Sequence, residues 1–190
     1  MQPAHRETQW SALVDHASTP GGGTVRGIDA RVQLGETGII LFQYVLRAEI
    51  SSLRIAPAQP AERADGLWRH TCFEAFLMAP GAVGYYELNF APSRQWAVCR
   101  FDAYREGMSA TRLGAPPEIS VRRCDDRLEL DAAVSLRDLI ALQGAPRLQI
   151  ALSAVVETES GTLSYWALKH APGKPDFHNP VCFVLELAMS

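Results

Sequence analysis

The 190-residue sequence predicts an all-β protein: an antiparallel β-sandwich or barrel of about ten strands with one short helix. Three observations carry this expectation. Apolar and polar residues alternate with period two in segment after segment. Turn residues recur every ~8–12 positions. A helical apolar pattern occurs in one place only.

Residues 1–24 read as an N-terminal extension and residues 25–190 as the β-domain. The extension is poor in β-formers, although Trp10-Ser11-Ala12-Leu13-Val14 suits a short packed segment. It ends on the flexible break Pro20-Gly21-Gly22-Gly23. Ile28, Ala30, Val32 and Leu34 then alternate with Asp29, Arg31 and Gln33, the pattern of a half-buried strand. Gly35-Glu36-Thr37-Gly38 supplies a turn. Residues 39–46 are almost wholly apolar, as in a strand covered on both faces, and 51–55 read as a further short strand. Residues 57–66 form a loop by composition.

Three strands follow, at 70–78, 85–91 and 95–101. Connections at Pro80-Gly81 and Pro92-Ser93 are short enough to make them antiparallel neighbours. Segments 119–121 and 128–132 flank Asp125-Asp126 as a hairpin. The helix signal is Ser135-Leu136-Arg137-Asp138, a hydroxyl N-cap with a carboxylate three residues on. Leu136, Leu139 and Ile140 give it an apolar face, and Gly144 and Pro146 stop it. Residues 148–156 alternate as a long strand, 162–168 follow across a turn, and 181–187 read as another strand.

Composition excludes several function classes. The hydrophobic fraction of 47% supports a sizeable core. A net charge of −3 leaves no basic excess for a nucleic-acid partner. No apolar run reaches the ~18 residues of a membrane span. The N-terminus lacks a basic stretch followed by an apolar one, so no secretory signal is expected and the predicted compartment is cytoplasmic. Cys72, Cys99, Cys124 and Cys182 are scattered without a CxxC pair. They are expected to be small buried apolar groups rather than disulfides or zinc ligands. Neither a metal nor a cofactor is expected.

The chemistry concentrates in residues 65–108. In strand register Cys72, Glu74, Phe76 and Met78 share one face, opposite Phe73, Ala75 and Leu77. Tyr85, Glu87 and Asn89 share another, opposite Tyr86, Leu88 and Phe90. Pairing the two strands would gather Glu74, Glu87 and Asn89 on one concave polar surface. His70, Trp96 and Arg100 would lie near it and Trp68 at its entry. Carboxylates and amides beside aromatic rings suit a sugar: planar acceptors take its hydroxyls and a ring face covers its C–H face. The plainer alternative is that these carboxylates are solvated on an outer face and that Trp68 and Trp96 pack in core or rim. A second cluster, SYWALKHAPGKPDFHNP at 164–180, holds Trp166, His170 and His178 in a proline-stiffened loop. There Asp176 is expected to orient a histidine, and the loop to touch ligand. Arg105 either clamps an anion or pairs with Glu106 or Asp102 at the surface.

These stretches, LWRHTCFEAFL, YYELNFAPSRQWAVCRFDAYREGM and SYWALKHAPGKPDFHNP, resemble the bacterial branch of the DOMON-like group. Relatives of that group are the family 9 carbohydrate-binding modules and the haem- or sugar-binding DOMON domains. The resemblance spans residues 25–187. It implies an immunoglobulin-like or jelly-roll β-sandwich with a ligand groove on one sheet or at its rim. In the family 9 modules two Trp sandwich a sugar ring, which would make Trp68 and Trp166 the walls. Those modules also use calcium, but this sequence has no Asp-rich loop for it. Haem-binding relatives use Met and His ligands, for which Met78, Met108, His70, His170 and His178 are the candidates.

The expected function is non-catalytic binding of a carbohydrate or sugar-containing small molecule. The expected site comprises Trp68, His70, Glu74, Glu87, Asn89, Trp96, Arg100, Trp166, His170 and His178. The alternatives are a haem or redox-cofactor binder, and a glycoside-active enzyme using Glu74 and Glu87 as an acid–base pair. No Ser elbow, P-loop, HExxH or Rossmann fingerprint points to another enzyme class.

Overall fold

The computed structural model describes residues 6–7, 9–19, 23–35 and 37–189. The strands among them are β1 (Arg6–Glu7), β2 (Ser11–Asp15), β3 (Val25–Leu34), β4 (Ile39–Ala48), β5 (Cys72–Met78), β6 (Tyr85–Phe90), β7 (Trp96–Phe101), β8 (Ser109–Ala110), β9 (Glu118–Arg123), β10 (Arg127–Ser135), β11 (Arg147–Glu157), β12 (Leu163–Ala167) and β13 (Leu185–Ala188). They join antiparallel into one sheet of order β8-β7-β6-β5-β11-β12-β2-β3-β4-β10-β9. Strand β1 lies beside β3, and β13 beside β11.

The sheet curls so that its two halves face each other across one core. Ile40, Phe42, Tyr44 and Leu46 of β4 are buried, and so are Phe73, Ala75 and Leu77 of β5 and Leu88 and Phe90 of β6. Phe42 meets Phe90 at 5.6 Å between ring centroids, and Tyr44 meets Phe73 at 5.0 Å. The Tyr44 hydroxyl, buried among them, donates to the Glu74 carbonyl at 2.8 Å. That bond offsets the cost of carrying a phenol into the core.

The apolar run at 39–46 is covered on one face only. Ile39, Leu41 and Val45 remain half-buried on the outside. Beside them a polar ladder crosses three strands, from Arg31 Nε to Gln43 at 2.7 Å and from Gln43 to Asp131 at 2.8 Å. By contrast β5, β6 and most of β11 are buried on both faces. The additional layer is the segment 171–184, whose Phe177 and Cys182 pack with Phe76, Tyr85, Phe101, Ala151 and Val155 in a second apolar cluster.

Three sequence expectations are corrected. The helix at Ser135 is two 3-10 turns, Leu136–Asp138 and Ile140–Leu142, and no α-helix occurs among the described residues. The cap forms, with the Ser135 hydroxyl accepting the Arg137 N–H at 3.3 Å. The backbone then leaves helical geometry at Leu139 (φ −94, ψ 68). Residues 51–55 form no strand: a 3-10 turn, Ile50–Ser52, precedes a single bridge from Leu53 to Thr158. At 181–187 the strand is shortened to β13, because Asn179 caps and Pro180 opens a 3-10 turn over Pro180–Cys182.

The segment read as an extension contributes β1 and β2. Strand β2 joins the halves, pairing with β3 on one side and β12 on the other. Pro20, Gly21, Gly22 and Glu36 of the expected break and turn lie outside the described residues.

Candidate functional site

Strand register builds the floor of the site. Side chains of Ala97, Asn89, Glu74, Ser153 and Ala167 form one row across β7, β6, β5, β11 and β12. Cys99, Glu87, Phe76 and Ala151 form the next. Small residues at the row ends leave space that the segment 171–184 roofs over, and the result is a cavity of about 820 Å3. Glu74, Glu87 and Asn89 line it while only 3%, 7% and 3% exposed. The polar face is therefore buried beneath a cover rather than solvated.

The hydrogen bonds on this floor form a chain. Asn89 Oδ1 accepts from the Cys72 thiol at 3.5 Å, and Asn89 Nδ2 donates to Glu87 Oε1 at 2.6 Å. Glu87 Oε2 lies 3.6 Å from His178 Nε2. On the other side of that ring, the Tyr85 hydroxyl meets Nδ1 at 2.7 Å and accepts the Arg105 backbone N–H at 3.2 Å. With the phenolic proton given to Nδ1, His178 carries its own hydrogen on Nε2, towards Glu87. Burial, reinforced by the positive charge of Arg105, lowers the imidazole pKa to about 4, so the ring is neutral at pH 7.

The two carboxylates differ. Burial pushes Glu74 well above the usual carboxylate range, and the neighbouring charge of Glu87 pushes it further; Arg105 opposes both. Burial also raises Glu87, but the Asn89 hydrogen bond and Arg105 hold it back. Both carboxyls are thus held towards the protonated form, Glu74 more strongly because burial and the Glu87 charge act on it together. Glu74 Oε1 and, one strand over, Ser153 Oγ are buried with no hydrogen-bond partner. A buried polar atom left unpaired costs ~1–3 kcal/mol.

The mouth is aromatic. Gly66 (φ +73) adopts a left-handed conformation open to glycine at no cost. It starts the 3-10 turn Leu67–Arg69, which stands Trp68 at the rim, 51% exposed. Tyr165 and Phe177 line another wall, their centroids 6.2 Å apart. The cover is tied down through Asp176, which accepts from Arg105 Nε at 3.2 Å and Nη2 at 2.7 Å, from the Tyr104 hydroxyl, and from the His178 N–H at 3.2 Å. Arg105 itself sits at φ +58 in a tight turn closed by Asp102 N–H to Glu106 at 3.0 Å.

Five of the ten sequence-predicted residues line this cavity: Trp68, Glu74, Glu87, Asn89 and His178. Strand parity removes three others. Trp96 and Arg100 lie on the opposite face of β7 from Ala97 and Cys99. Trp96 is buried in the main core, and Arg100 stands 6.0 Å over the Tyr86 ring. Trp166 packs against the main core, with Nε1 donating to Ser164 at 3.0 Å, so Tyr165 takes the place expected of a second tryptophan wall. His70 bonds Glu157 at 2.7 Å beside Arg54, and His170 bonds the Val14 carbonyl at 2.7 Å. Among the haem-ligand candidates only Met108 and His178 line the cavity, and both His178 nitrogens already face partners. No group of three or more His, Cys, Asp or Glu able to hold a metal ion occurs among the described residues.

Sequence reasoning put Tyr85 on the Glu87 face and offered Arg105 as an anion clamp, but it singled out neither Tyr165 nor Phe177 and did not pair Arg105 with Asp176. Strand parity in β12 marks Tyr165. The clamp joins loops 71 residues apart and leaves no local signal.

No family model and no curated protein matches the chain. Solved structures do. A Bacteroides uniformis protein proposed to bind carbohydrate superposes with a TM-score of 0.65 at 15% identity, covering 95% of this chain and 85% of that one. A family 9 carbohydrate-binding module from Caldicellulosiruptor kristjanssonii, solved with cellotriose, superposes with a TM-score of 0.57 at 12% identity, covering 95% and 81%. At these identities the likeness is one of fold.

Proposed function

We propose that the chain is a non-catalytic binding protein for a carbohydrate or a sugar-containing small molecule, held between the carboxylate floor and the 171–184 cover. One observation carries the reading: Glu74, Asn89 and Glu87 are buried side by side at the base of a cavity whose rim is an exposed tryptophan. In this reading the floor takes the ligand hydroxyls, Trp68 covers a ring face, and Tyr165 and Phe177 form the other wall. His178 fixes the orientation of Glu87. The carbohydrate associations of the two superposable proteins support it, as does reading the curled sheet as a sandwich of the family 9 type.

Calorimetric titration with glucose, cellotriose and a broader sugar panel tests it. Binding heat should appear with at least one sugar, and Trp68→Ala and Glu87→Gln should each weaken it about tenfold or more. No heat with any sugar, or affinity indifferent to both substitutions, overturns it.

The placement of two buried carboxyls, Glu74 and Glu87, in one cavity favours one alternative, acid–base cleavage of a glycoside. Chromophore release from aryl glycosides, lost in Glu74→Gln, would establish that activity.

A further inference from the structure

We infer that the cavity selects an amino sugar carrying a free ammonium group, which enters between Glu74 and Glu87. This rests on the carbohydrate-binding reading and narrows its ligand class.

The carboxylates of Glu74 and Glu87 face one cavity, diagonal to each other across β5 and β6. Neither has a cationic partner at full charge. Glu87 meets only the amide of Asn89 and a neutral imidazole. Glu74 Oε1 meets nothing, and the Ser153 hydroxyl beside it is equally unpaired. Three cations line the same cavity, but none forms an ion pair with either carboxylate: Arg105 pairs with Asp176, Arg63 with Asp65 at 2.7 Å, and Lys174 is exposed on the cover. Two buried carboxyl groups with no ion pair of their own are costly to ionise, a cost that a ligand cation can offset. An ammonium has three donors. One each for Glu74 and Glu87 would pair both carboxylates of the floor. The ring faces of Trp68, Tyr165 and Phe177 add attraction for a cation at the mouth. A neutral hydroxyl has a single donor and satisfies one of these acceptors only.

The entry is also a proton exchange. Glu74 holds a proton in the empty cavity. When the ammonium arrives, that proton leaves to solvent and the carboxylate pairs with the ligand.

The full chain is titrated with glucosamine, glucose and N-acetylglucosamine at pH 6.5, in two buffers of different ionisation enthalpy. Glucosamine should bind about tenfold tighter than glucose or the N-acetyl sugar. Protons should be released when glucosamine binds, and none with the neutral sugars. Glu74→Gln and, independently, Glu87→Gln should each erase the preference for glucosamine over glucose, whatever either does to the affinity for glucose itself, and Glu74→Gln should also abolish the proton release. Glucosamine binding no tighter than glucose overturns the inference and leaves the carbohydrate reading standing. A preference unchanged in both variants also overturns it. Absence of heat with all three sugars and the wider panel overturns both.

Discussion

His178 and Glu74 give the folded protein opposite responses to pH. His178 titrates near 4 when folded and near 6.5 in its unperturbed state. Between those values the unfolded chain binds more protons, so its contribution to stability is present above 6.5 and falls away towards 4, by about 3 kcal/mol in all. Glu74 is raised instead. Its favourable contribution is present below the ordinary carboxylate value of 4.5 and is lost as pH rises through its raised value. Denaturant melts across pH 4 to 8 should therefore show a flatter acid limb for His178→Gln. The ring also packs at 5.1 Å on both Phe76 and Phe101, so absolute stability should drop while the slope reports the titration. Glu74→Gln should be more stable than the parent at pH 8 and lose that advantage at pH 4. At the rim, Trp68→Ala should change unfolding free energy by less than ~0.5 kcal/mol, since the ring is half exposed, yet weaken sugar binding. Thermal melts alongside calorimetry separate the two. Glu74, Glu87 and Asn89 were legible in the sequence because period-two spacing fixes which face a side chain takes. The same parity sets Trp96 in the main core, the plainer of its two expected positions, and packs Trp166 against it.

Among the elements, the cover depends on side chains rather than a ladder. Segment 171–184 contains no strand, only the turn at Pro180–Cys182, and is held by Asp176, by Phe177 and Cys182 in the second apolar cluster, and by the Asn179 cap at 3.1 Å. Asp176→Asn removes the charge that gathers Arg105, Tyr104 and the His178 N–H. Amide exchange should accelerate in 176–184 by a factor matching ~1–3 kcal/mol, with the sheet amides unchanged. Uniform acceleration across the sheet would show that Asp176 supports the whole fold instead. The cover was only half legible. Proline and glycine marked it as a stiff loop, but the fact that it roofs β5 and β6 depends on contacts far apart in the chain, which no local pattern encodes.

The whole molecule separates a structural core from a functional one. Leu88 is fully buried in the main core on the face of β6 opposite Glu87. Leu88→Ala should cost ~2–5 kcal/mol in urea unfolding while leaving affinity intact in the folded fraction. Phe177→Ala, in the second cluster, should do the reverse: a smaller loss of stability and a larger loss of binding. The all-β class and most strand positions were legible from alternation and turn residues. The closure between the halves was not, because β2 meets β12 through only two residue pairs, Trp166 with Asp15 and Ala167 with Val14. So short a pairing lies below what periodicity can mark.

The cover's place in chain order gives maturation a chemical step. Strands β5, β6, β7, β11 and β12 all precede it, so at roughly 5–20 residues synthesised per second the carboxylate face stands open to water for about a second before its roof can form. In that interval Glu74 is hydrated and ionised. Docking the cover then draws a proton from solvent, and a final refolding phase reporting on the aromatic cover should slow as pH rises, while earlier strand pairing does not.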